Sequence, residues 1–347
     1  MAAVDEYLFD RAAQIATQAN LPWAELDGKT VLVTGSTGLI GSQIVRTLLS
    51  RNDCVDAGII VVLPVRNIKK AQALFGDRSD VSVLEWSLGD ELVGSEHVDY
   101  VVHAACGTSS KSFLETPATT IMQIVHGGEA VLRDASSVDA KKVLFLSTME
   151  VYGEVEGVAT EDNLGKLDPM VVRNSYPEAK RLVECLCASY ATEHGVPSVV
   201  MRLAQTFGEG VNPDDMRVFA DFGRHAIDGK DIVLLSDGLK RNGYLSVDDS
   251  VRAILIALVN GQSGEAYNAV NEDAYCSIRE MAQLVLDQFG AEGTQVRREF
   301  DPEREATFRK ASDLMLDSSK LRALGWEPND SLSDMYRAMI DCWSVHD

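Results

Sequence analysis

KTVLVTGSTGLIGSQIVRTLLS, residues 29–50, decides the fold. Val31 to Thr34 make a short apolar run that reads as a buried strand. The run enters a turn with glycines at 35, 38 and 41. The turn enters a helix carrying Ile40, Ile44, Val45, Leu48 and Leu49 on one side. Gly35 permits the tight turn, Gly38 lets a pyrophosphate approach the backbone, and Gly41 lets the helix pack close to the strand. The helix N-terminus adds free N–H groups and a partial positive charge. A strand before the glycines and a helix after them is the context a dinucleotide-binding turn requires.

Working outward, IIVVLPVR (59–66), VSVLEW (81–86), VDYVVHAA (98–105) and KVLFLST (142–148) read as further strands. Helical stretches, IKKAQALFG (68–76) and roughly 118–138, lie between them. This alternation predicts βαβ units in an α/β fold, a doubly wound parallel sheet of Rossmann type. Residues 1–27 read as an N-terminal helical extension, with Leu8, Ala12 and Ile15 on one face. Residues 28–205 read as the dinucleotide-binding domain with the catalytic residues. After about 205 the rhythm changes, with turn-rich GEGVNPDD and SDGLKRNG. Residues 206–347 are therefore expected to form mainly a smaller C-terminal α/β substrate lobe, with room for some elements to return to the first domain. A cleft is expected between the lobes, at the C-terminal ends of the strands.

The 347 residues are 46% hydrophobic and 24% charged, ordinary for a globular chain. Lys and Arg number 32 against 53 Asp and Glu, a net charge of −21. So acidic a chain repels phosphate backbones and anionic lipid, so neither nucleic acid nor a membrane surface is expected as a partner. The most apolar runs, Gly58 to Val65 and Ala253 to Val259, are far shorter than the roughly 20 residues of a membrane span. The N-terminal stretch carries Asp5, Glu6, Asp10 and Arg11 without an apolar core, so no signal peptide is expected. Six cysteines show no CxxC pair and no metal spacing. Reduced thiols in the cytoplasm, and no metal, are the expectation.

The end of the second strand carries Arg66, followed by Lys69 and Lys70, where NAD binders commonly place an acid for the ribose 2′-hydroxyl. These cations suit a 2′-phosphate, so an NAD(P) cofactor is expected with NADP favoured over NAD. Tyr176 and Lys180, in YPEAK, are four apart and share a helix face. A lysine beside a phenol is expected to lower its pKa, making Tyr176 a general base for a sugar or alcohol hydroxyl. Thr148, in STMEVYG, is placed to bond the same substrate oxygen. His103, at a strand end, reads as a hydrogen-bonded core histidine.

With TGSTGLIG, YPEAK and STMEVYG in order, the sequence resembles the extended short-chain dehydrogenase/reductases of the NAD-dependent epimerase/dehydratase family, over nearly the whole chain. It is similar to UDP-glucuronate decarboxylases and dTDP-glucose 4,6-dehydratases through RNSYPEAKR, RLAQTFG, RVFADF and LGWEP as well. The resemblance implies a nucleotide-sugar substrate and transient C4 oxidation, leading to decarboxylation, epimerisation or dehydration. It makes Thr148, Glu150, Tyr176 and Lys180 the catalytic group. It assigns cofactor contacts to Gly35, Thr37, Gly38, Leu39, Ile40, Gly41, Arg66, Ala104, Ala105, Ser147, Tyr176, Lys180 and Leu203. Substrate contacts fall to Arg173, Gln205, Arg217 and Arg241. It also implies a homodimer through a four-helix bundle built from helices near 110–135 and 176–192.

The sequence departs from that pattern in places. The dehydratases pair the Glu with a preceding Asp, and this chain has Met149, which transfers no proton; dehydration is thereby disfavoured and decarboxylation preferred. Ile124 stands where the family shows an Asn, Gln205 where it shows another, and Gly243 where it shows an aromatic residue. Ser87, with Asp90 nearby, takes the place of an acid near the adenine. An NADPH-dependent carbonyl reductase acting on a non-sugar substrate, and a catalytically silent dinucleotide binder, are the alternatives.

Overall fold

The structure is a computed structural model that describes residues 3–88, 90, 97–107, 110–299 and 313–345. Helix α1 (Ala3–Ala16) and the turn α2 (Trp23–Leu26) precede β1 (Thr30–Thr34). Then come α3 (Leu39–Val55), β2 (Ile60–Val65), α4 (Ile68–Phe75), β3 (Val81–Glu85), β4 (Tyr100–His103), α5 (Ser110–Glu115), α6 (Pro117–Ser137) and β5 (Lys142–Thr148). A 3₁₀ turn, Met149–Tyr152, leads to β6 (Val158–Ala159), α7 (Ser175–Glu193), β7 (Ser198–Leu203) and β8 (Gln205–Phe207). The remainder holds α8 (Val218–Ile227), β9 (Ile232–Leu234), β10 (Arg241–Ser246), α9 (Val247–Asn260), β11 (Ala266–Ala269), β12 (Asn271–Ser277), α10 (Ile278–Phe289), β13 (Val296–Arg298) and β14 (Met315–Leu316), then the helix Leu332–Ser344.

The main sheet is parallel throughout, in the order β3-β2-β1-β4-β5-β7-β11. Strands β4 and β7 are buried at every residue, as expected for a sheet covered on both faces. Strand order and crossovers match the doubly wound reading. The second unit holds a three-stranded sheet, β12-β10-β8, and a pair, β13-β9. Its core is aromatic, with Phe207 stacked on Phe219 at 4.6 Å between ring centroids.

Chain order and spatial grouping differ in the second half. Strand β11 pairs with β7 as the outermost strand of the main sheet, and α9 packs in that sheet's core. The reason is composition: α9 is buried over Val247–Leu258, on every side, and needs cover all round. The N-terminal extension is likewise integral. α1 buries Leu8, Ala12, Ile15 and Ala16 and lies on α3. It is tied down by Arg11 to Asp248 at 2.6 Å and by Arg46 to Asp5 at 3.3 Å. Helices α6 and α7 pack against each other, with Met122 and Leu182 left exposed. No helix among the described residues is long and apolar enough to cross a membrane. None of the six cysteines forms a disulfide.

Candidate active site

A cavity of about 1080 Å³ opens at the C-terminal ends of β1, β4, β5 and β7. It runs from the glycine turn to Asn242 and Leu314 in the second unit. Crossover helices cannot cover that end of a parallel sheet, which leaves it free for a ligand.

The glycine turn is shaped by backbone contact. Gly35 has φ +69°, and a Cβ there would lie 2.6 Å from the Ala104 carbonyl carbon. A Cβ on Gly41 would overlap the Gly35 carbonyl. The turn is thus pressed against β4 and against its own helix, with α3 starting at Leu39 and pointing its free N–H groups outward. Ser36 Oγ is buried in the turn without a hydrogen-bond partner. A cradle that admits no side chain, with an orphaned hydroxyl beside a helix N-terminus, fits a dinucleotide pyrophosphate. Gly35, Gly38, Leu39, Ile40 and Gly41 line the cavity, as do Ala104, Ser147 and Leu203. Thr37, Ala105 and Arg66 are not among the lining residues. Ala105 instead turns its N–H to Thr34 Oγ1 at 3.1 Å. Arg66 is exposed, and Lys70 Nζ reaches back to the Thr37 carbonyl at 3.0 Å.

The catalytic candidates meet on the cavity floor. Thr148 ends β5, and its Oγ1 accepts from the Glu150 N–H at 3.2 Å, capping the 3₁₀ turn. The same hydroxyl favours the ionised form of the Tyr176 phenol. Tyr176 and Lys180 lie in the first turns of α7, both buried. Lys180 Nζ donates to the Leu146 carbonyl at 2.7 Å, 4.5 Å from the Phe145 ring centroid and 5.9 Å from that of Tyr176. The expectation of an acidified phenol is not met. Burial pushes Tyr176 well above 10, and the nearby Cys106 and Glu150 add to the rise. The ammonium is aimed at a carbonyl rather than at the phenol.

Glu150 lies across from Arg173. Nη1 and Oε2 are 3.0 Å apart without hydrogen-bond alignment, and Nη2 donates to Oε1 at 3.3 Å. Met149 lines the cavity beside them. Gln205 and Arg217 also line it, although the Arg217 guanidinium is held by Asp215 at 2.6 Å. Arg241 is not among the lining residues. Its guanidinium pairs with Glu280 at 2.8 Å and lies over the Tyr275 ring. Its neighbours Lys240 and Asn242 line the cavity instead. Side chains alternate across a strand, so the signal that points Asn242 inward sends Arg241 to the other face.

Ile124 is buried in one apolar cluster with Phe113, Phe145 and Tyr176, so packing stands where a polar network was expected. His103 Nδ1 lies 2.8 Å from Thr34 Oγ1, and burial pushes the imidazole down to about 3, a neutral core histidine. Asp90 bonds the Ser87 N–H at 3.1 Å. A Cβ at Gly243 would lie 2.6 Å from Val270 Cγ2, so no aromatic residue fits there unchanged. Two contributors were not legible in the sequence. Phe113 stacks on Tyr176 at 4.4 Å, and FLETP holds no motif that marks it. Glu184 bonds Ser147 and Arg202 beneath the floor.

With this geometry established, comparisons with known proteins agree on a class. The model of the NAD dependent epimerase/dehydratase family matches residues 31–271. A low-salt glycan biosynthesis protein, Agl12, of Haloferax volcanii is 29% identical over 316 residues, 90% of this chain and 97% of that one. A UDP-glucuronic acid decarboxylase of Arabidopsis thaliana is 29% identical, covering 88% of this chain and 85% of its own length. The dTDP-glucose 4,6-dehydratase DesIV of Streptomyces venezuelae, solved with NAD bound, superposes with a TM-score of 0.73 at 25% identity, over 91% of this chain and 97% of that one.

Proposed function

The chain belongs to the NAD dependent epimerase/dehydratase family, and from that membership we propose a nucleotide-sugar-modifying enzyme that oxidises the sugar C4 transiently. The observation that carries the proposal is the gathering of Thr148, Tyr176 and Lys180 on the cavity floor beside the glycine turn. A bound nicotinamide dinucleotide supplies a hydride acceptor and, when oxidised, a positive charge. In the protein alone Tyr176 is a protonated phenol. A cation bound in the cleft would favour phenolate at Tyr176, and Tyr176 would then take the proton of the C4 hydroxyl. Thr148 holds that hydroxyl by hydrogen bond, and Lys180 keeps a cation close to both. On the return step the Tyr176 phenol gives its proton back.

Decarboxylation of a nucleotide-linked uronic acid is the reaction the site favours. Once C4 is a ketone, a carboxylate on C5 is a β-keto acid and loses CO₂ readily. Glu150, held by Arg173, is placed to order water or move the proton that replaces CO₂. Met149 leaves dehydration without its second proton-transfer group. The UDP-glucuronic acid decarboxylase relative supports the same choice. Arg217, Gln205 and Arg173 are the substrate's polar contacts, with Arg241 turned aside in this form.

The cofactor preference we propose is NADP. The first turn of α4 carries no acid, and Lys70 already bends to the glycine turn. Arg66→Asp is expected to shift binding from NADP toward NAD, measured by fluorescence titration of both. For the quaternary state we propose a homodimer through α6 and α7, where Met122 and Leu182 are exposed. Leu182→Glu is expected to give monomers by light scattering. Six cysteines held as thiols, none in a disulfide, support a cytoplasmic location.

Mass spectrometry of products from UDP-glucuronate, UDP-glucose, dTDP-glucose and GDP-mannose, with each cofactor and with Tyr176→Phe as control, tests the proposal. Loss of CO₂ from UDP-glucuronate supports it. Loss of water from a hexose would overturn the argument from Met149. No product by mass or chromatography would overturn the class.

A further inference from the structure

The two proton-transfer ends of the cleft are joined by one aromatic ring. Phe113, in α5, is buried yet lines the cavity. Its ring lies parallel to that of Tyr176, 4.4 Å between centroids and 12° between planes. The Arg173 guanidinium carbon is 5.2 Å from the same Phe113 ring, and Arg173 is the partner of Glu150. Ser175 Oγ, at the start of α7, donates to the Phe113 carbonyl at 3.4 Å, so α5 is fastened to the catalytic helix.

We propose that Phe113 is a positioning residue for both groups, its ring holding Tyr176 directly and Glu150 through Arg173. The inference rests on the roles read above for Tyr176 and Glu150. A ring stacked on the phenol keeps water from that face, and a phenolate without water is disfavoured. The polar and charged groups around the phenol come from several elements. Thr148 comes from the end of β5, Cys106 from beyond β4, Glu150 from the 3₁₀ turn, and Arg173 from the segment before α7. Lys180 is on the same helix. Phe113 thus covers one face of the phenol ring, while those groups set the charge around it. The same ring gives Arg173 a surface to lie on, which keeps Glu150 beside the phenol rather than swung toward solvent.

The test is a titration of the purified full chain carrying ¹³C at tyrosine Cζ, whose shift separates phenol from phenolate. Tyr176→Phe assigns the signal. Wild type is compared with Phe113→Leu, which removes the ring at similar volume, and Phe113→Tyr, which keeps it. Melting temperatures and dinucleotide binding confirm that each variant is folded. The expected result is that Tyr176 ionises at lower pH in Phe113→Leu than in wild type, and that Phe113→Tyr behaves as wild type. Wild type holding its phenol up to alkaline unfolding while Phe113→Leu loses it earlier is the same result. Identical behaviour of wild type and Phe113→Leu overturns the proposal. The titration needs no substrate, so it stands or falls apart from the product panel. With a substrate in hand, Phe113→Leu is expected to lower kcat about tenfold with little change in KM, the sign of misplaced groups rather than lost binding.

Discussion

Two glutamate–arginine pairs flank the segment from Ser147 to Tyr152, and they are built differently. Glu184 and Arg202 are 9% and 6% exposed, with Nη2 donating at 2.8 Å and Nε bonding the carboxylate as well. Ser147 Oγ donates to the same carboxylate. Arg202 Nη1 donates to the Tyr152 hydroxyl at 2.9 Å and to the Glu161 carbonyl, and Tyr152 in turn donates to Asn268 at 2.8 Å. Glu150 and Arg173 are 28% and 32% exposed, share one aligned hydrogen bond, and face the cavity. The first pair has its hydrogen-bonding capacity taken up by the fold. The second is short of partners and open to a ligand. A charge saturated by neighbours stabilises geometry, whereas one left short of them is available for chemistry.

The largest effect separating the two pairs is expected at the buried one. Arg202→Met leaves Glu184 charged and unpaired beneath the floor, and stability should fall by about 3–5 kcal/mol, read by urea denaturation. A loss under about 1 kcal/mol would show that water compensates Glu184 and that the contrast is false. Glu150→Gln should do the reverse. Turnover should drop roughly a hundredfold with the melting temperature hardly moved, since the pair is part-exposed and weakly bonded.

His103 asks whether burial alone, without a charged partner, marks a structural group. Its folded pKa of about 3 lies below the ordinary 6.5, so the native state binds fewer protons than the unfolded chain between those values. Its contribution to stability is complete above about 6.5 and is lost as pH falls toward about 3. His103→Asn keeps a polar group near Thr34 and should flatten that part of the pH–stability curve without altering the pH profile of kcat. The smallest effect is expected at Arg241. With its guanidinium on Glu280, Arg241→Ala should change KM less than about threefold. An increase above about tenfold would mean that the arginine swings into the cavity when substrate binds, as the family resemblance implies.

Local signals carried most of the main sheet. The five strands read from 31–34, 59–66, 81–86, 98–105 and 142–148 appear within a residue or two of the expected ends. Each is an apolar run bounded by turns, which needs no distant partner to be recognised. Tyr176 and Lys180 were legible because four residues on a helix return to one face. Arg241 was assigned through the family resemblance, and the strand's alternation sent it elsewhere. The acidity of Tyr176 was argued from Lys180, one neighbour in sequence, and burial, reinforced by Cys106 and Glu150, outweighed it.

By itself the sequence determined the doubly wound sheet, the glycine turn and the helix that carries the tyrosine and lysine. These depend on backbone sterics and on side-chain periods of two and 3.6 residues, which operate within one element. Only the tertiary structure decided which arginine meets Glu150, which ring lies on Tyr176, and that β11 returns to close the main sheet. Contacts between segments tens of residues apart depend on how finished elements pack. Desolvation then accumulates from every neighbour at once, so the charge state of the site follows from the assembled cleft.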